Sequence, residues 1–151
     1  MKGMTLIVKT IADFVVAFIV VFGAYIVLYG HLTPGGGFAG GVIIACAFIL
    51  LLLAHGSDAA FAVLPEKVAH IFDSAGALAF LIIGWVGVTG GFFFLNVFGR
   101  GEAFRLLSSG MILPLNIAIA FKVGSSLFLV FAALAMFRRR SFRAMIEEEL
   151  S

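Results

Sequence analysis

Four stretches of this chain, residues 5–29, 36–54, 71–97 and 111–137, are apolar over lengths that an ordinary soluble helix or strand does not need. About 20 apolar residues carry a helix across a hydrocarbon core about 30 Å thick. The first stretch is interrupted only by Thr5, Lys9, Thr10 and Asp13, and residues 38–54 carry no charge. Because the runs are continuous, they do not fit membrane β-barrel strands, which alternate over about 10 residues. The expected fold class is all-α, a polytopic membrane protein with four transmembrane helices forming one domain over 1–151 and ending in a tail at 138–151. Composition agrees: 63% of residues are hydrophobic and 12% charged, against about 25% charged in soluble domains. At this length the chain leaves no space for a separate soluble catalytic domain.

The first two runs meet in residues 30–41, Gly-His-Leu-Thr-Pro-Gly-Gly-Gly-Phe-Ala-Gly-Gly. A glycine-rich loop before a helix can cradle phosphate, but the Lys-Ser/Thr of a nucleotide loop and a preceding strand are both missing. What remains is steric. Gly36 with Gly40 and Gly37 with Gly41 form two overlapping GxxxG pairs that let another helix backbone come close, and Gly35 belongs to the same turn. Pro34 fits the first turn of the second helix, where its missing N–H costs nothing. Gly76, Gly84, Gly87 and Gly91 are expected to form a similar small-residue face on the third helix. Cys46 is the sole cysteine, so it offers neither an internal disulfide nor a metal site. The first run is too long for a cleaved signal peptide and is expected to be a mature helix.

Orientation is read from the basic residues, since short cytoplasmic loops carry the Lys and Arg excess. With four crossings, both termini and the second loop share a side holding Lys2, Lys9, Lys67, Arg138, Arg139, Arg140 and Arg143, while the other side holds Arg100 and Arg105. Both termini are thus expected in the cytoplasm, with the protein in the cell membrane. Residues 142–150, with Glu147, Glu148 and Glu149, read as a short surface helix or a frayed tail.

Ionisable groups at membrane depth are costly and mark function by default. Lys122 lies sixteen residues before Arg138, about 24 Å along a helix. That depth allows an ion relay or a fixed pair with a carboxylate of a neighbouring chain. Pro114, Asn116, Gly124, Ser125 and Ser126 share its helix, so carbonyls freed by Pro114 and small polar groups are available to the ammonium. Asp13 has Lys9 one turn earlier as an interfacial partner. Asp73 and His70, three apart at the start of the third helix, form a similar pair, with the helix dipole favouring the carboxylate. His31 stands beside the glycine turn, where a histidine either hydrogen-bonds backbone or serves as a proton-binding group. Lys122, Asp13, Asp73, His70, His31 and Asn116 are therefore the ion-path candidates. No catalytic constellation, cofactor motif or metal-ligand spacing is present.

Residues 31–38, His-Leu-Thr-Pro-Gly-Gly-Gly-Phe, followed by Gly40-Gly41, resemble the signature of the MnhB/MrpB family, four-helix subunits of Mrp-type multisubunit sodium/proton antiporters. Pro114-Leu115-Asn116-Ile117-Ala118 with Phe121-Lys122-Val123-Gly124 is similar to that family's last helix. Ala39 stands where family members often carry glutamine. The resemblance implies a non-enzymatic membrane subunit without cofactors, working beside larger antiporter-like chains, with Na+ and H+ as transported ions and no nucleic acid. It also extends to the membrane arms of membrane-bound hydrogenases and sulfur-reducing complexes. A purely structural adaptor, using the glycine faces for assembly and Lys122 as a docking charge, is the remaining alternative.

Overall fold

The computed structural model describes residues 4–97 and 106–149; Lys2, Arg100 and Arg105, which enter the charge asymmetry, lie outside them. Five α-helices follow in order: α1 Leu6–Leu28, α2 Gly36–His55, α3 Ser57–Val63, α4 Glu66–Val86 and α5 Ile112–Glu149. All but α3 are long and apolar enough to cross a membrane, and no strand occurs among the described residues. α1 packs on α2, α2 on α5 and α5 on α4, so the spans stand in a row with α2 and α5 inside.

The missing side chains of its glycines let α2 occupy the inside. A Cβ added to Gly40 would sit 2.9 Å from the Gly23 carbonyl oxygen of α1. On the opposite side, Cβ atoms at Gly37 and Gly41 would sit 2.2 Å and 2.9 Å from the carbonyl oxygens of Asn116 and Ala120 in α5. The two GxxxG pairs therefore divide their contacts between two neighbours, with Gly40 receiving α1 and Gly37 and Gly41 receiving α5. Ahead of them, the Tyr29 carbonyl accepts hydrogen bonds from the backbone N–H groups of Leu32 and Thr33 and from the Thr33 hydroxyl. These donors satisfy an oxygen that the end of α1 would otherwise leave unpaired. Gly35 has φ +141° and Gly36 φ +67°, angles that L side chains rarely adopt. That break explains why Pro34 precedes α2 instead of lying in its first turn.

Toward the other end of the helices, Phe128 of α5 is fully buried beside Leu52, Ala60, Ala69 and Ala132. Its ring meets those of Phe48 and Phe61 edge-on, each with centroids 6.0 Å apart. Here α3, inside what the sequence reads as a plain loop, folds back under the bundle and contributes Ala60 and Phe61 to this cluster.

The third span differs from the expected 71–97. It starts at Glu66, directly after Pro65, and its α-helix stops at Val86, followed by a 3-10 turn over Gly87–Gly90. Gly91, at φ +111°, then reverses the chain. The returning segment lies against the helix end, where the Phe94 N–H donates to the Gly84 carbonyl at 3.1 Å. A Cβ on Gly84 would meet the Phe94 ring at 2.8 Å, and one on Gly87 the Leu95 nitrogen at 2.4 Å. Gly84 and Gly87 thus accommodate the chain's own return, and Gly91 forms the turn; only Gly76 of this set meets another helix, α5. The tail also differs, because α5 runs unbroken for 38 residues to Glu149.

Steric pressure at these glycines is unequal, which gives a direct test. Gly41→Ala should destabilise the protein by about 1–3 kcal/mol, because the opposing atoms are backbone and cannot swing away. Gly124→Ala, whose Cβ would meet the Gly41 carbonyl oxygen at an ordinary 3.4 Å, should be close to neutral. Thermal unfolding of both variants in detergent checks the contrast.

Candidate functional site

Gly76 brings α4 and α5 together. A Cβ there would lie 2.7 Å from the Lys122 nitrogen and 2.8 Å from the Ala118 carbonyl oxygen. With the backbones this close, one turn along α4, the Asp73 carboxylate accepts a hydrogen bond from Lys122 Nζ at 2.6 Å. The Ser126 hydroxyl donates to the same oxygen, Oδ1. Lys122 and Ser126 are one helical turn apart, so both reach one carboxylate without distortion.

The pair is well inside the span. Asp73 is seven residues after Glu66, about 10 Å along the helix, and Lys122 is ten residues after Ile112, about 15 Å. The carboxylate that Lys122 requires is supplied by its own chain, not by a neighbouring one. The pair is not sealed, however: the Lys122 side chain is 42% exposed and that of Asp73 24%. An ion pair on a membrane-facing flank has to meet water or another protein surface to be tolerated.

The other candidates are placed differently from what local spacing predicts. Asp13 faces His55 across the α1–α2 contact, Oδ2 to Nε2 at 3.4 Å; no Lys9–Asp13 ion pair occurs among the described residues. His70 faces Glu66 one turn earlier at 4.0 Å, while Asp73 turns to α5. His31 is half-buried in the glycine turn. Asn116 sits over that same turn, its side chain against Gly30 and Gly36 and its main chain against Gly37. Its Nδ2 is buried with no hydrogen-bond acceptor. Pro114, third residue of α5, falls where helix N–H groups lack intrahelical partners anyway, so it frees no carbonyl near Lys122. No group of three or more potential metal ligands occurs among the described residues. His55 and Glu66 were not singled out by the sequence. His55 follows an uncharged run, and its pairing with Asp13 depends on a helix register that spacing does not encode.

Four helices long and apolar enough to cross a membrane, with an ion pair on one flank whose side chains are 42% and 24% exposed, define a polytopic membrane protein. Residues 7–129 match the domain related to the MnhB subunit of Na+/H+ antiporters, and the chain belongs to that family. It is 36% identical over 126 residues to an uncharacterized protein of Methanocaldococcus jannaschii, covering 79% of this chain and 48% of that one. It is also 36% identical over 81 residues to the putative antiporter subunit mnhB2 of Staphylococcus saprophyticus, covering 54% of this chain and 57% of that one. Among solved structures, it resembles a chain of the membrane-bound sulfane sulfur reductase, an archaeal respiratory membrane complex. The TM-score is 0.75 at 31% identity, over 89% of this chain and 61% of the other. The chain thus spans about half the length of these two curated relatives and 61% of the structural neighbour.

The pair makes an internal prediction. Lys122→Met or Asp73→Asn alone leaves one charge or polar group without its partner, at a cost below the about 3–5 kcal/mol of a fully buried pair because both side chains are partly exposed. The double variant should recover part of that loss, because neither charge is left without its partner. Thermal stability of the three variants in the assembled complex measures the coupling.

Proposed function

We propose that this chain is an accessory membrane subunit of an Mrp-type multisubunit cation/proton antiporter, where it supports assembly and forms part of a sodium or proton path at subunit interfaces. The observation that carries the reading is the Lys122–Asp73 pair. Two ionisable groups at membrane depth, held by Ser126 and left partly open on one flank, suit ion handling at a contact between chains better than silent packing. Membership in the MnhB family and the kinship with the mnhB2 subunit support it. On this reading the chain is a transporter subunit and not itself an enzyme.

A second reading has its own support. The fold likeness to a chain of the sulfane sulfur reductase favours the homologous place in the ion-translocating arm of a respiratory membrane complex. The genes beside this one discriminate: antiporter subunits alone favour the first, redox subunits the second.

Both chain ends are assigned to the cytoplasm on the positive-inside bias. With Cys46 replaced, a cysteine near Arg100 should react with an impermeant thiol reagent from outside intact cells, and one near Ser141 only after permeabilisation. The opposite pattern reverses the orientation.

Transport normalised to assembled complex tests the function. Lys122→Met combined with Asp73→Asn should assemble yet lose most cation-dependent proton transport. Lys122→Arg should rescue poorly, since a guanidinium does not release its proton in this pH range. Normal transport per complex in the double variant would reduce the chain to a scaffold.

A further inference from the structure

We propose that one flank of the α4–α5 contact is a one-sided aqueous column, leading from the membrane surface where α4 begins, past Glu66 and His70, to Asp73 and Lys122, and closed beyond Lys122 by aromatic rings. This rests on the reading of the chain as part of an ion path and adds the route and its direction.

Glu66, His70, Asp73, Ala77 and Phe80 recur at intervals of four, three, four and three residues. They therefore lie one above another along a single strip of α4. The lower part of the strip is polar throughout. Glu66 and His70 approach within 4.0 Å with their side chains 58% and 64% exposed, and Asp73 follows, bound to Lys122 and Ser126. Carboxylate, imidazole, carboxylate and ammonium succeed one another from the helix start to mid-span, each able to hold water.

Above Lys122 the strip changes character. The groove continues between Gly76, Ala77, Phe80 and Ile119, with a volume of about 320 Å³ and Lys122 as its one charged side chain. Phe80 then packs on Phe94 with ring centroids 5.3 Å apart, and Phe94 on Phe93 at 4.4 Å. The segment that folds back after Gly91 thus places rings over the far end, with Phe80, Phe93 and Phe94 37%, 52% and 38% exposed.

The opposite flank of the same helix contact is a control built into the fold. There the groove is lined by Phe72, Ala75, Ala79, Ile83, Ile117 and Phe121, with no polar side chain. Water placed on that flank finds no hydrogen-bonding side chains, whereas on the other it finds at least four.

Cysteine accessibility in the assembled complex tests the column. Cys46 is replaced by serine, and single cysteines are introduced as Ala77→Cys, Ala75→Cys and Leu81→Cys. The probe is 2-(trimethylammonium)ethyl methanethiosulfonate, applied from either face of oriented vesicles; it reacts with hydrated thiolates and not with thiols in hydrocarbon. The expected result is modification of Ala77→Cys from the face shared by both chain ends, protection of that site from the other face, and no reaction at Ala75→Cys or Leu81→Cys. An inert Ala77→Cys overturns the column, as does a Leu81→Cys that reacts equally, because the route would then not end at the rings. Labelling needs no transport, so loss of the antiport reading leaves this result standing. Conversely, an inert Ala77→Cys beside Lys122-dependent transport removes the column alone.

Discussion

In hydrocarbon, helices gain little by hiding apolar side chains from one another, because lipid tails are equally apolar. Cohesion has to come from close packing and from polar contacts, and both depend here on backbone approach. Gly40 and Gly23 bring α1 against α2, Gly37 and Gly41 bring α2 against α5, and Gly76 brings α5 against α4. Each glycine fixes a crossing, and the row of four spans follows from those crossings. Larger residues at these places would hold the helices apart, where dispersion between atoms falls off steeply with distance.

The ion pair is a consequence of the last of these contacts. Lys122 finds Asp73 at 2.6 Å because Gly76 lets the α5 backbone lie directly against α4 one turn away. Ser126 donates to the same carboxylate oxygen, and the ammonium, with three donors, keeps those not engaged by Asp73 for water or another chain. Packing and chemistry are therefore one device: the residue that sets the helix spacing also sets the length of the charge contact.

Much of this fold was legible in the sequence. Hydropathy over windows of about 20 residues records where lipid is the solvent, so the four spans and the depth of Lys122 were readable. The end of the third span was not, because Phe92, Phe93, Phe94 and Leu95 are as apolar folded back as they would be in a continuing helix. Only the clustered glycines at 87, 90 and 91 mark the stop. The pairs were less readable. Spacing within one helix suggested Lys9 for Asp13 and His70 for Asp73, but contacts between helices took precedence, giving His55 and Lys122. Such partners depend on the relative register of two spans, set by glycine contacts far apart in sequence. Asn116 shows the same limit: its helix was legible, its place over the turn of residues 30–37 was not.

The length of α5 carries a mechanical consequence. At 38 residues and about 1.5 Å per residue it is close to 57 Å long, nearly twice the hydrocarbon thickness. Successive residues are fixed in angle by the hydrogen-bond ladder, so the azimuth of Lys122 is tied to that of every residue as far as Glu149. The part of α5 beyond the bilayer thickness is thus joined to mid-span by one unbroken helix. The close backbone contacts at Gly41 and Gly76 hold α5 against α2 and α4, and so fix the azimuth at which the ammonium meets the carboxylate.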